Sequence, residues 1–259
     1  MSAMKVRILG CGPSQGVPIL GCDCSVCTSS NPMNKRTRSS ILITSPNGQN
    51  IVFDTTPEFR IQALAANLKT LDAVVYTHIH SDHAHGFDDL RPYYFLGKGP
   101  VPCYMAPEHQ PEFRQRFAYA FGHSTYQGPT VQIDLKEIPR RTFTVGELEF
   151  EPIWLPHGGE FTVAFRIGRF AYATDFKSFT ADQIAHWRGK IDVMVASALQ
   201  PDPHPSHSSI PETIFLFHEL RVKRGILTHM GHRVDYHLMA QSLPTGVEMA
   251  YDGMEFEVE

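Results

Sequence analysis

Apolar residues along this chain fall in short runs bounded by Gly, Pro, Asn or His, not in long stretches of helical period. Such runs read as buried strands. Residues 5–9 form the first, broken by Gly10-Cys11-Gly12-Pro13. Residues 39–44 and 50–53 flank Pro46-Asn47-Gly48, and Asn-Gly between apolar runs predicts a hairpin. Pro57 opens a helix to about residue 68, with Phe59, Ile61, Leu64, Ala65 and Leu68 on its apolar face. Strands follow at 71–76 and 101–106, then a helix over 108–121. A second pass begins with strands near 130–138 and 142–154. It continues with a hairpin over 161–173 that turns at Ile167-Gly168-Arg169, a helix over 180–187 and a strand over 191–195. A helix over 210–220, opened by Ser209 and Pro211, leads to a strand over 225–228.

The two passes share an order. Strand 51–54, helix, strand 71–75 is spaced like strand 171–175, helix, strand 191–195. Two similar β-rich halves packed sheet on sheet, with helices outside, make an α/β fold of four layers, an αββα sandwich. No linker, charge block or low-complexity tract divides residues 1–259, so one domain is expected.

Polar chemistry collects where strands end. The run 71–76 stops at Thr77-His78-Ile79-His80-Ser81-Asp82-His83-Ala84-His85-Gly86, a dense set of potential metal ligands against a buried strand. His157, Asp175 and His229 also stand at or next to predicted strand ends. With His78, His80, Asp82 and His83 they supply about what two first-row metals need besides water. Asp175 closes its strand and stands alone, which suits a carboxylate bridging both ions. Such a pair activates a shared water and clamps an ester undergoing displacement, so a phosphodiester or an acyl group is the expected substrate. Cys22, Cys24 and Cys27 can wrap a further zinc but leave one position to be filled from elsewhere.

Composition narrows the class. With 42% hydrophobic and 19% charged residues the chain is an ordinary globular one, and its net charge of −4 argues against a nucleic-acid partner. No apolar run reaches spanning length and residues 1–10 lack a signal pattern, so no membrane partner and a cytoplasmic location are expected. Crowded cysteines in a reducing compartment indicate metal, not disulfides. A homodimer is the base-rate expectation.

The sequence resembles the metallo-β-lactamase superfamily, whose His-x-His-x-Asp-His signature stands here as His78, His80, Asp82 and His83. Within it the chain is similar to the PhnP-like phosphodiesterases and, more distantly, to PqqB. Residues 21–27, the run Asp54-Thr55-Thr56-Pro57-Glu58-Phe59-Arg60 and the run Gly86-Phe87-Asp88-Asp89-Leu90-Arg91-Pro92 carry that likeness. The resemblance implies the αββα sandwich of that superfamily. It implies one metal on His78, His80 and His157 and another on Asp82, His83 and His229, with Asp175 between them. It makes His232 the fourth ligand of the zinc on Cys22, Cys24 and Cys27. His207 matches a histidine near the leaving group, where it acts as general acid or as donor to the phosphoryl oxygens; His204 is the alternative. Asp82 and His207 are thus the catalytic candidates. Arg91 is a candidate phosphate contact, with pairing to Asp88 or Asp89 as the structural alternative; His85 receives no role. The implied activity is hydrolysis of a small cyclic or nucleotide-like phosphodiester, such as a phosphoribosyl cyclic phosphate, with active-site zinc or manganese. The competing readings are a thioesterase or lactamase on the same scaffold and a PqqB-like metabolite binder without turnover. Residues 100–128 carry no motif; they fill core, shape a pocket or form a dimer contact.

Overall fold

The structure, a computed structural model, describes residues 3–122 and 130–259. Its strands are β1 (Met4–Gly10), β2 (Ser40–Thr44), β3 (Asn50–Phe53), β4 (Ala73–Val75), β5 (Val101–Met105), β6 (Ile133–Glu137) and β7 (Phe143–Val145). They continue with β8 (Leu148–His157), β9 (Glu160–Ile167), β10 (Phe170–Ala173), β11 (Val193–Ser197), β12 (Arg224–Thr228), β13 (Val247–Met249) and β14 (Glu255–Val258). The helices are α1 (Phe59–Ala65), α2 (Ser81–Ala84), α3 (Arg91–Tyr93), α4 (Gln110–Arg116), α5 (Ala181–Trp187), α6 (Ile210–Leu220) and α7 (Tyr236–Ala240).

Two seven-stranded sheets result, ordered β14-β1-β2-β3-β4-β5-β6 and β13-β12-β11-β10-β9-β8-β7. Strand alternation explains the layering. In β2 and β3, Ile41, Ile43, Ile51 and Phe53 turn into the core between the sheets, while Leu42 and Val52 join the outer cluster with Phe59, Phe87 and Phe113. Phe53 meets Phe165 at 5.4 Å and Tyr172 at 5.3 Å across the gap, in edge-to-face contacts. Trp187 of α5 and Phe217 of α6 close the second sheet from its other side. Gly225 of β12 lies directly beneath the Phe217 ring, where a Cβ would sit 2.3 Å from it. The expected αββα sandwich is therefore present, and among the described residues no helix is long and apolar enough to cross a membrane.

Several expected elements differ. The helix after Pro57 is shorter, spans Phe59–Ala65, and leaves Pro57 in the preceding turn. Its buried side is Phe59, Gln62 and Ala63, whereas Ile61 and Leu64 are exposed. Gln62 takes the inward position because it bonds Thr37 Oγ1, Arg38 O and Thr56 Oγ1. The 108–121 helix is α4 between two 3-10 turns. The strand near 130–138 is β6, the edge of the first sheet, so the second half begins at β7. The 142–154 run is a hairpin of β7 and β8, turned at Gly146. Phe113 and Phe117 fill core, while His123 and Tyr126 lie outside the described residues.

The parallel strands β3, β4, β10, β11 and β12, with β8, all end at one edge of the sandwich. In open α/β sheets that edge is where ligands bind. The amino-terminal loop is tied to it by Arg36, which is only 2% exposed. Its guanidinium donates to the carbonyls of Met33, Met230, Gly231 and Val234 and to Asn34 Oδ1. Replacing it strands buried carbonyls without donors. Arg36→Met is expected to lower stability by about 3 kcal/mol in urea unfolding; a change within about 0.5 kcal/mol would show that the loop is held by other contacts.

Candidate metal centre

Three of the strand ends leave ordinary backbone space. Asp54 after β3, Asp175 after β10 and His229 after β12 have φ of 63°, 51° and 56°. A non-glycine residue in the left-handed region costs free energy and persists where the surroundings hold it. Asp54 and Asp175 occupy corresponding places in the two passes of the chain, and both are buried.

Asp54 accepts from Thr77 N and Thr77 Oγ1, both at 2.8 Å, and from His83 Nδ1 at 2.7 Å. Burial pushes its pKa up despite the adjacent His83 imidazole. Thr77 Oγ1 spends its proton on Asp54, so it accepts from His78 Nδ1 at 3.0 Å. His157 Nδ1 donates to Ser206 O at 3.2 Å, and His80 Nε2 faces Glu160 Oε2 at 3.3 Å. Each of these four imidazoles thereby commits one nitrogen to a protein oxygen and turns the other, unprotonated, inward.

The inward atoms converge. His80 Nδ1 lies 3.1 Å from His78 Nε2 and 3.2 Å from His157 Nε2. His83 Nε2 lies 2.5 Å from Asp175 Oδ2 and 3.2 Å from Asp82 Oδ2. Asp175 Oδ1 lies 2.9 Å from His229 Nε2 and 3.1 Å from His207 Nδ1. Yet His83 Nε2, His229 Nε2, His207 Nδ1 and both Asp175 oxygens are buried without a hydrogen bond of proper orientation. Lone pairs crowded this way are costly unless a cation lies among them. The donor set fits divalent metal.

The electrostatics say the same. Burial opposes charge on Asp175, but His229, His83 and His207 outweigh it and hold the carboxylate well below the usual range. Burial likewise opposes charge on His83, and Asp82, Asp54 and Asp175 reverse that and raise it well above an ordinary imidazole. His78, with burial and then His83 against it, is driven well below. Three carboxylates around His83 thus favour positive charge at the point where a bound cation would supply it.

The residues able to hold metal sort into His78, His80 and His157, then Asp82, His83, Asp175 and His229, with the ligand atoms of each group within 4.8 Å of one another. Asp175 also groups with His157 and His207, so it stands at the joint. Cys22, Cys24, Cys27 and His232 form a separate group. The three sulfurs lie 3.4, 3.6 and 3.6 Å from His232 Nδ1. Tetrahedral zinc with bonds of ~2.3 Å to sulfur and ~2.05 Å to nitrogen separates the two by ~3.6 Å. The Cys24 thiol is lowered to about 6, chiefly by the Cys27 backbone N–H, toward the thiolate form that binds zinc.

The remaining candidates divide. His207 lines the cleft beside Asp175, and the His204 ring lies tilted against it at 5.0 Å between centroids. Arg91 is exposed on α3, outside these groups, where its charge acts on the Asp89 carboxyl. His85 is exposed and set edge-on to Phe117. Cys11 and Cys103 are buried. Asp54 was legible as a strand end matching Asp175, but its work in orienting His83 depends on a partner brought in from the next strand.

The beta-lactamase superfamily domain matches residues 49–230. A diphosphatase of the PhnP family has a crystal structure 34% identical in sequence, with a TM-score of 0.91 over 99% of this chain and 97% of that one. Zinc-bound PqqB of Methylobacterium extorquens is 17% identical, with a TM-score of 0.79 over 98% of this chain and all of that one, a likeness of fold. A protein of Porphyromonas gingivalis named octanoyltransferase is 35% identical over 97% of this chain. The chain spans about half of that relative's length, 51%. With the domain match covering most of the sandwich and the signature histidines gathered at its edge, the chain belongs to the metallo-β-lactamase superfamily.

Proposed function

We propose that the protein is a metal-dependent hydrolase of a small phosphodiester or diphosphate. The observation that carries this reading is Asp175, whose Oδ2 lies 2.5 Å from His83 and 3.8 Å from His78, members of different metal groups, while its Oδ1 meets His229 and His207. His78, His80 and His157 would hold one divalent ion, and Asp82, His83 and His229 the other, with Asp175 shared and zinc or manganese both suited to the ligands. Two such ions activate water and offset charge on phosphoryl oxygens. The chain does the rest. Asp54, Thr77, Glu160 and Ser206 fix the imidazole orientations before substrate arrives. His207, held at Asp175, gives its proton to the departing oxygen as the water oxygen bonds to phosphorus and the phosphorus–oxygen ester bond breaks. The proton released by water restores His207. The diphosphatase of the PhnP family supports phosphorus over carbon as the centre attacked. Zinc on Cys22, Cys24, Cys27 and His232 would be structural, pinning the amino-terminal loop three residues beyond His229.

A second reading, hydrolysis of an octanoyl thioester, has the Porphyromonas gingivalis relative in its favour. That name belongs to a protein of which this chain covers about half, so it ranks second. A PqqB-like metabolite binder, which would leave both substrates intact, ranks third.

The test is turnover of bis(p-nitrophenyl) phosphate against an octanoyl thioester by the metal-loaded protein. We expect cleavage of the diester, and cleavage of the thioester alone would replace the phosphodiesterase reading. His207→Ala should lower diester turnover about 100- to 10,000-fold with metal content unchanged; equal loss of metal would make His207 a ligand instead. Asp54→Asn should weaken metal affinity about 10- to 100-fold in a chelator titration, and unaltered affinity would remove Asp54 from the support of His83. Cys24→Ser should release one zinc and leave the diesterase metals bound.

A further inference from the structure

A cleft of about 410 Å³ opens from His207 and His229 toward the amino-terminal loop. Its walls are built. On one side Gly16 N bonds Pro13 O, and Arg38 holds Ser14 O. On the other, Leu199 N bonds Ser208 O, Gly231 N bonds Leu199 O, and Ile210 N bonds Gln200 O. Pro13, Ile19 and Leu199 give it part of an apolar lining. None of its lining residues is a carboxylate, and Arg233 lines it together with His204, His207 and His229.

The chemistry of the cleft is that of an anion path. His204 Nδ1 accepts from Ser206 N at 3.3 Å, which leaves its proton on Nε2 as a donor. Burial, then His207, Lys177 and Arg233, lower the pKa of that imidazole. Arg233 is half exposed, meets Asp202 at 3.2 Å and also holds Gln200 Oε1. Asp202 is itself 70% exposed, so this pair contributes little and yields readily to a phosphate, which a guanidinium grips with two parallel bonds.

Direction follows from His207. The group it protonates is the leaving group, so the leaving group lies in the cleft that His207 lines. We propose that this cleft is the leaving-group subsite and that Arg233 selects substrates whose leaving group carries a second negative charge, as in a diphosphate joining two nucleosides. This rests on the phosphodiesterase reading above and adds to it the substrate class and the residue that reads it. Arg233 acts on binding and not on the reacting atoms, so its loss should appear in KM.

The test compares two substrates with the metal-loaded protein. P1,P2-diadenosine diphosphate loses an anionic nucleotide, whereas bis(p-nitrophenyl) phosphate loses a group with no second charge. Arg233→Met should lower kcat/KM for the diphosphate about 10- to 100-fold, as expected for losing a charged contact, mostly through KM, and change the nitrophenyl ester less than about twofold. Arg233→Lys should restore part of the loss. Arg233 is exposed, so thermal unfolding of both variants should match the unsubstituted protein, which separates binding from folding. Equal losses on both substrates, or no loss on either, would overturn the subsite. Cleavage of the nitrophenyl ester without the diphosphate would overturn it too while leaving the phosphodiesterase reading intact. Cleavage of neither would overturn both.

Discussion

The arrangement depends on a buried carboxylate that has no proper hydrogen bond. Asp175 is 1% exposed, and nitrogen atoms of His83, His207 and His229 press on its two oxygens at 2.5, 3.1 and 2.9 Å. Desolvating a carboxylate costs several kcal/mol, and none of these imidazole nitrogens meets it in a properly oriented hydrogen bond. A divalent cation between them can offset that cost. The left-handed backbone at Asp54, Asp175 and His229 is the conformational counterpart of that demand, because each side chain must turn back over the sheet edge.

The two strand-end aspartates divide the work. Asp54 is wholly enclosed by donors, from Thr77 twice and from His83, and never faces the inward cluster. It sets the tautomer of one ligand directly and of another through Thr77. Asp175 faces the cluster itself. Their pKa values move in opposite directions, Asp54 upward because burial dominates, Asp175 downward because several imidazoles surround it. Corresponding positions in two β-strand–helix–β-strand passes have thus taken supporting and binding roles. Arg36 adds a longer link by holding the carbonyls of residues 230, 231 and 234, so the cysteine loop and the end of β12 move as one piece.

Much of this was legible in the sequence where the signal is local. The histidine cluster sits within six residues, and the apolar runs before His78, Asp175 and His229 mark strand ends without any tertiary knowledge. What was not legible depends on distant partners. The apolar pattern does not reveal the buried face of α1, because polar Gln62 is drawn inward by Thr37, Thr56 and Arg38 O. β14 pairs with β1 across almost the whole chain, and no local pattern announces that. Arg233 looks like any surface arginine until Leu199, Gln200 and His204 assemble a cleft beside it.

The ligand groups call for three separate metal positions in one chain. The direct measurement is the number and identity of ions bound per chain after dialysis, by elemental mass spectrometry on protein free of any added histidine tag. The expected result is two divalent ions on the imidazole and carboxylate groups and one zinc on the cysteines. A chain that binds only the cysteine zinc, even from saturating zinc or manganese, would contradict it. The crowding around Asp175 would then have to be relieved by protons alone.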